Sequence, residues 1–182
     1  LMPDLASDRT FEITQLLVER RGFSPDHIEE MHAQIAAQGA EIGLTYRFDR
    51  ARPTNTRSAH RLGHFAKQSG RQHEMIRRMF HAYFAEGANI GDYEVLADLA
   101  QDIGLDREGA RAALDRGDFA QDVEADINLA RELGITGVPF FIFNGKYKAS
   151  GAESVEVFLE LLDAAWQQRA SAEAARSRAD LA

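Results

Sequence analysis

Apolar residues recur every three or four positions along most of the chain, the spacing of helices that each bury one face. Most of the predicted helix starts carry Ser, Asp or Asn, whose side chains can accept hydrogen bonds from a first helical turn. The predicted helices begin near Ser7, Ser24, Asn55, Arg71, Asp92, Asp106 and Asp118. Glycines such as Gly39 and Gly134 are predicted to end them. A loop or short strand over residues 43–53 is the one predicted interruption.

The period changes after the seventh predicted helix. Val138 to Phe143 is a short, nearly continuous apolar run, typical of a strand that is covered on both faces. Asn144-Gly145 is a strong signal for a tight hairpin turn, and Lys146 to Ser150 returns as a second strand. A last helix is predicted from Glu153 to Gln168. The C-terminal part is therefore predicted to be a ββα unit.

This hairpin raises a problem of stability. An isolated two-stranded hairpin is only marginally stable in water, and its outer edges leave backbone groups unpaired. We therefore expect further strands to be supplied to it. They would come from residues upstream of Leu1, which is not the usual initiating residue, or from a partner chain in a homodimer.

Composition narrows the classes of function. The net charge of −8 and the scattered basic residues argue against non-specific nucleic-acid binding. No apolar run approaches the roughly 20 residues of a membrane span, so no membrane partner is expected. The chain has no cysteine, which excludes disulfides, cysteine zinc sites and a CxxC motif within it. This composition fits the reducing cytoplasm, where we expect the protein to act.

Pro139 stands at the mouth of the first predicted strand. Proline has no N–H for a sheet ladder and is normally found at a strand's first residue, at an edge or at a bulge. Bonds before proline are also where cis peptides occur. If the Val138–Pro139 bond is cis, the Val138 backbone faces outward and can pair with a bound peptide. The alternative is a trans proline that opens an ordinary core strand.

Other candidate residues have simpler structural roles. His60 and His64 share one helix face, but Arg61 lies beside them and no carboxylate stands at ligand spacing. No metal or other cofactor is therefore predicted. Asn55 is most simply a helix N-cap, and the run Phe140 to Phe143 is more readily core than site.

Four pieces of the sequence carry a family likeness. They are Pro53-Thr-Asn-Thr-Arg-Ser-Ala-His-Arg-Leu62, Ala82-Tyr-Phe-Ala-Glu-Gly87 with Asn89-Ile90 and Asp92, Gly134-Ile-Thr-Gly-Val-Pro-Phe-Phe141, and Ser150-Gly-Ala152. Together they resemble the DsbA family of thioredoxin-like proteins, and specifically its FrnE-like branch. The resemblance implies an α/β, thioredoxin-like fold with a large all-helical insert. Residues 1–117 would form the link and the insert, residues 118–169 the last insert helix and the ββα part, and residues 170–182 a frayed tail.

The resemblance also implies a function. It suggests a thiol–disulfide oxidoreductase or isomerase that acts on protein or peptide thiols and disulfides. The family's first βαβ unit, with its Cys-Pro-Trp-Cys type motif, has no counterpart in the chain, and we expect the catalytic cysteines upstream. Pro139 would be the catalytic cis-proline, Val138 would pair with substrate, and Thr136 and Gly137 would shape the groove. Asn55 and His60 are candidates for flanking the site.

Two other functions remain open. Kappa-class glutathione transferases and 2-hydroxychromene-2-carboxylate isomerases share a thioredoxin unit with a helical insert. They use glutathione, and a serine tends to replace the first cysteine. A non-catalytic peptide-binding module would use the same groove without redox chemistry.

Overall fold

The computed structural model of the chain describes Leu5 and residues 12–179, with residues 171–179 described by their backbone alone. The described helices and strands are α1 Ile13–Arg21, α2 Pro25–Glu41, α3 Arg57–Lys67, α4 Gln72–His81, a π-helical turn Ala82–Glu86, α5 Tyr93–Asp102, α6 Arg107–Arg116, α7 Ala120–Glu132, β1 Phe140–Phe143, β2 Tyr147–Ser150 and α8 Val155–Ala179. The part of helix α1 predicted before residue 12 and the tail beyond residue 179 lie outside the described residues.

The chain forms two compact units, Leu1–Ala125 and Asp126–Ala182. The boundary falls inside α7, whereas the family resemblance implies a division between residues 117 and 118. Within the described part, none of the helices combines the length and the apolar character of a bilayer span.

The core of the first unit lies between α3, α4, α5 and α6. Leu62, Met75 and Leu96 are fully buried there, and they belong to three different helices. Alanines on the same faces let the helices approach one another closely, notably Ala66 of α3 and Ala100 of α5. The helical periodicity of the sequence therefore identifies this core correctly.

Three of the predicted N-caps are observed. The side chains of Ser24, Asp92 and Asp106 each accept a hydrogen bond from a backbone N–H of the first turn of the helix that follows. Asn55 is different, because α3 begins only at Arg57. Its Oδ1 accepts from the Arg57 N–H at 2.9 Å, so Asn55 ties down the helix start from one residue outside the cap position.

Arg61 fastens α3 to the C-terminal end of α6. Its guanidinium is buried and donates to the carbonyl oxygens of Ala113 at 3.0 Å, Leu114 at 2.7 Å and Asp118 at 2.7 Å. Carbonyls in the last turn of a helix have no partner within the helix. Arg61 therefore caps α6 from a neighbouring helix, a role that the sequence analysis missed.

The loop over residues 43–53 packs through aromatic rings and contains no strand. Phe48 stacks on His32 of α2 with 4.1 Å between ring centroids, and Tyr46 stacks on Phe48 at 5.6 Å. Burial lowers the pKa of His32. Helix α2 continues past Gly39, which was predicted to end it. Gly39 has no side chain, and this leaves room for the ring of Tyr46. A Cβ on Gly39 would lie 2.5 Å from Cε2 of that ring.

The predicted fourth helix is observed as α4 followed by the π-helical turn Ala82–Glu86. Gly87 ends it with a φ of +73°, in the left-handed region that favours glycine. Met75 and Met79 are buried, as predicted, but Phe80 is 59% exposed although its spacing placed it on the buried face.

The second unit is a hairpin packed on a helix. Strand β1 pairs antiparallel with β2, and the register brings Phe143 opposite Tyr147. Between them lie Asn144, Gly145 and Lys146, so the predicted tight turn is a three-residue loop and β2 begins one residue later than predicted. Asn144 and Gly145 have positive φ values of +51° and +70°, which these residue types tolerate. Helix α8 packs on the hairpin, with Phe158 edge-on to Phe141 at 4.8 Å between centroids.

Two expectations for this unit were wrong. No residue of β1 is fully buried, although its composition predicted a strand covered on both faces. Among the described residues, β1 pairs with β2 and packs against α8 alone. Helix α8 runs through Ala179, past the predicted end at Gln168 and through most of the predicted frayed tail. The run of Ala, Glu and Arg residues after Gln168 has high helix propensity, which accounts for the extension.

Candidate functional site

The loop between α7 and β1 presents a run of exposed backbone. Thr136, Gly137, Val138 and Pro139 are all exposed, and the Val138 side chain is 75% exposed. The Val138–Pro139 peptide bond is cis. Within the part of the chain that the structure describes, no backbone hydrogen bond uses the N–H or C=O groups of residues 136–138. We call these four residues the site loop. Such backbone groups beside a strand can pair with an added extended peptide.

Backbone hydrogen bonds hold both sides of the site loop. On one side, the Ile135 N–H donates to the Ala130 carbonyl at 2.9 Å, which closes the C-terminal end of α7. On the other, the Pro139 carbonyl accepts from the Gly151 N–H at 2.9 Å. Gly151 has a φ of +101°, a conformation that side chains disfavour. The Ser150-Gly-Ala152 piece therefore anchors the strand end of the site loop.

A lysine adds a second tie between the hairpin and α7. The Lys148 Nζ donates to the Leu133 carbonyl oxygen at 3.1 Å, just beyond the last residue of α7. A positive charge at this end of a helix is favoured by the helix dipole. Lys148 thus supports the site loop from β2, a contact that the sequence pattern gave no means to find.

The two predicted flanking residues lie at the start of α3, in the first unit. The Asn55 Nδ2 donates to the Leu5 carbonyl at 2.8 Å, so this amide contacts Leu5 as well as the helix start. His60 lines a cavity of about 320 Å³ within the same unit. The structure thus brings residues 136–139 together on one loop, and it places Asn55 two residues before α3 and His60 in the first turn of that helix.

The cavity beside His60 was not foreseen. Its walls are mostly apolar, and its lining residues are Ile13, Pro53, Thr54, Thr56, Ala59, His60, Ile76, Met79, Phe80, Tyr83, Phe84 and Ile90. Burial raises the pKa of Tyr83 to about 12, so its phenol is neutral at physiological pH. The sequence contained a partial signal, because Pro53-Thr-Asn-Thr and Ala82-Tyr-Phe were already among its family-like pieces.

The side chains that the structure describes exclude some kinds of chemistry at the site loop and at the cavity beside His60. They include no group of three or more His, Asp or Glu side chains arranged to hold a metal ion. The chain has no cysteine, so it holds no thiolate to attack a disulfide. The site loop can bind an extended backbone, and the cavity can enclose apolar atoms. Neither place can exchange disulfides with its own side chains.

The chain is similar to known proteins over most of its length. Residues 9–163 match the family described as DSBA-like thioredoxin domain. In three dimensions the chain is similar to a probable DsbA oxidoreductase from Streptomyces coelicolor, with a TM-score of 0.84 and 35% sequence identity. The superposition covers 91% of this chain and 72% of that protein.

A second relative covers less. The chain is 39% identical over 97 residues to the Bacillus subtilis protein named uncharacterized protein YwbO. That alignment takes in 52% of this chain and 48% of the relative, so the chain matches about half the length of this protein.

Proposed function

The chain belongs to the DSBA-like thioredoxin domain family, and we propose that it binds the peptide substrate of a DsbA-type thiol–disulfide oxidoreductase or isomerase. The observation that carries this proposal is the site loop, whose exposed backbone has no partner among the described residues. A substrate peptide that pairs with this backbone would be held in an extended form, as an added strand is.

The residues of the site loop have distinct proposed roles. The Val138 backbone pairs with the peptide, and Thr136 and Gly137 shape the groove beside it. Pro139 offers no N–H, so it can lie against a sulfur without competing for its lone pairs. Asn55 and His60 are proposed to flank the bound substrate.

The exchange itself needs a thiolate. It attacks one sulfur of a disulfide, forms a mixed disulfide, and releases the other sulfur as a thiolate. Because the chain has no cysteine, we propose that the attacking thiolate belongs to polypeptide upstream of Leu1. We further propose that the intact protein acts in the cytoplasm, and that a homodimer is the alternative source of strands for the hairpin.

Measuring peptide binding by the chain itself tests whether the exposed backbone of the site loop pairs with substrate. The probe is an extended peptide with a central S-methylated cysteine, which can bind but cannot react. Val138→Pro removes one backbone N–H from the site loop, and the matched control Val138→Ala keeps it. Loss of one hydrogen bond is expected to weaken binding about 3- to 10-fold, while the control stays within about 2-fold of the parent. Calorimetry measures both, and circular dichroism checks that each variant is folded.

Three outcomes separate the candidate functions. Equal affinities for Val138→Pro and Val138→Ala would contradict pairing through the Val138 N–H. Peptide binding together with insulin reduction by the intact gene product would support the oxidoreductase, and binding without turnover would leave a peptide-binding module. Tight binding of glutathione, lost in Val138→Pro, would favour the glutathione-dependent transferases and isomerases.

A further inference from the structure

Helix α7 ends in a hydrogen-bonded motif that leads directly into the site loop. The Gly134 N–H donates to the Arg131 carbonyl at 3.0 Å, and the Ile135 N–H donates to the Ala130 carbonyl at 2.9 Å. Gly134 has a φ of +72°, so this is the Schellman arrangement that commonly closes helices. The motif leaves out the Leu133 carbonyl, to which no N–H of the described backbone donates. One carbonyl at the exit of α7 is thus left for a side chain.

Lys148 supplies a donor to this carbonyl from strand β2. Its Nζ donates to the Leu133 oxygen at 3.1 Å. The register places Lys148 directly opposite Ile142 of β1, so the two side chains leave the hairpin on the same face. Phe141 and Phe143 lie on the other face, against α8. Lys148 therefore joins the hairpin to the end of α7 from the face that α8 does not cover.

The same part of the chain holds the other end of the site loop. Gly151 directly follows β2, and its N–H donates to the Pro139 carbonyl at 2.9 Å. Lys148 and Gly151 thus fix the chain on both sides of the site loop, while the backbone groups of residues 136–138 have no backbone partner among the described residues. Loss of one tie would let these residues adopt more conformations, and a bound peptide would then have to order them.

We propose that Lys148 is a positioning residue of the site loop. Its ammonium holds the exit of α7, and this keeps the backbone of residues 136–138 in the form that pairs with an extended peptide. The positive charge also suits this end of α7, where the helix dipole is negative. Lys148 acts through the site loop and makes no contact with the peptide. This inference rests on the proposed function, because it concerns the same peptide-binding backbone.

Two lysines of the hairpin allow a matched comparison. Lys148→Met removes the ammonium but keeps an unbranched side chain, and it is expected to weaken binding of the S-methylated cysteine peptide about 2- to 5-fold. Lys146→Met makes the same change of charge in the loop between the strands, where the ammonium lies 5.2 Å from the centroid of the Tyr147 ring. It should leave the affinity unchanged. Lys148→Arg keeps a cationic donor and is expected to restore most of the affinity. Calorimetry measures all three, and circular dichroism checks that each is folded.

A second measurement needs no peptide. The ¹H–¹⁵N heteronuclear NOE of the Gly137 and Val138 amides reports picosecond-to-nanosecond motion of the site loop. The NOE is expected to be lower in Lys148→Met than in the parent, to stay at the parent value in Lys146→Met, and to return towards it in Lys148→Arg. The amide of Ile142, within β1, is the internal reference and should not change. A lysine that only stabilised the fold would not affect the site loop selectively.

The results that overturn the proposal are specific. One is a Lys148→Met variant with the parent's affinity for the peptide, and another is parent NOE values at Gly137 and Val138 in that variant. An equal loss of affinity in Lys146→Met would also overturn it, because net charge would then be responsible. A parent chain that does not bind the peptide would instead contradict the proposed function. The two failures are distinguishable, because the NOE comparison involves no peptide.

Discussion

The two units bury their apolar side chains to very different extents. In the first unit Leu62 and Leu96 are 0% exposed, because four helices surround them. In the second unit Leu162 is 48% exposed and Trp166 is 71% exposed, although both lie on a long helix. A single hairpin can cover only one side of α8. The comparison shows that helical periodicity predicts which face is apolar, while the number of neighbouring elements decides whether that face is buried.

Truncation of one leucine in each unit is the strongest test of this difference. Leu62→Ala removes a fully buried side chain and is expected to lower the free energy of unfolding by about 2–5 kcal/mol. Leu162→Ala, the matched change on α8, is expected to cost less than about 1 kcal/mol, because much of that side chain is already in water. Urea unfolding followed by circular dichroism measures both. Similar losses for the two variants would show that Leu162 is buried in solution.

The buried arginine of the first unit gives the next largest effect. Arg61→Lys keeps the positive charge. The single ammonium group of lysine, however, cannot donate to three carbonyl oxygens at once as the forked guanidinium of arginine does. We expect a loss of about 1–3 kcal/mol, because the end of α6 is left with unsatisfied carbonyls. Arg131→Lys is the control in the second unit, where the arginine is exposed and bonds only to the Asn128 side chain among described residues. It is expected to change stability by less than about 0.5 kcal/mol. A tolerated Arg61→Lys would contradict the capping role.

Adding one methyl group at a glycine of each unit tests how tightly the two units are packed. Gly39→Ala places a methyl group against the Tyr46 ring, and overpacking of this kind costs about 1–3 kcal/mol, partly offset by better helix propensity. Gly137→Ala meets no atom within 4 Å and is expected to stay within about 1 kcal/mol of the parent. Thermal unfolding measures the two side by side. Stabilisation by Gly39→Ala would show that Tyr46 moves aside easily.

The smallest expected effect concerns how thermal stability changes with pH. Hydrogen bonds from Arg107 and Arg111 lower the pKa of Glu94. A carboxyl with a lowered folded-state pKa stabilises the fold above its ordinary pKa, and that contribution is lost as pH falls through the lowered value. Glu94→Gln should therefore reduce the difference in thermal stability between pH 7 and pH 3. The control Glu160→Gln removes an exposed carboxylate of α8 and should leave that difference unchanged. The effect is small because Glu94 is exposed and water screens the pairs.

Much of the fold could be predicted from local signals. The α/β, thioredoxin-like fold class is confirmed by the family match and by the Streptomyces coelicolor structure. Asp92 and Asp106 act as caps because each side chain reaches N–H groups only two or three residues away. The Asn144-Gly145 turn is equally local. These features depend on short stretches of chain, so one sequence contains the information for them.

The features that were missed depend on distant residues. Gly39 lies within α2 and does not end it; its lack of a side chain instead makes room for Tyr46 of the following loop. In the sequence, Arg61 stands beside two histidines and gives no sign of its role. The carbonyl groups to which it donates belong to residues more than fifty positions further along the chain. The cavity joins residues from Ile13 to Ile90, and no spacing rule connects them. The positions of the site loop were found through family-like pieces, and their proposed roles rest on the experiments described above.

The π-helical turn at Ala82–Glu86 has a consequence for evolution. A π turn spans one residue more than an α turn. Loss of one residue there would let α4 continue as a regular helix and would rotate Tyr83 or its replacement by about 100° relative to the rest of the helix. Relatives without the aromatic side chains of this turn are therefore expected to differ by a one-residue gap in an alignment, even where every neighbouring amino acid is the same.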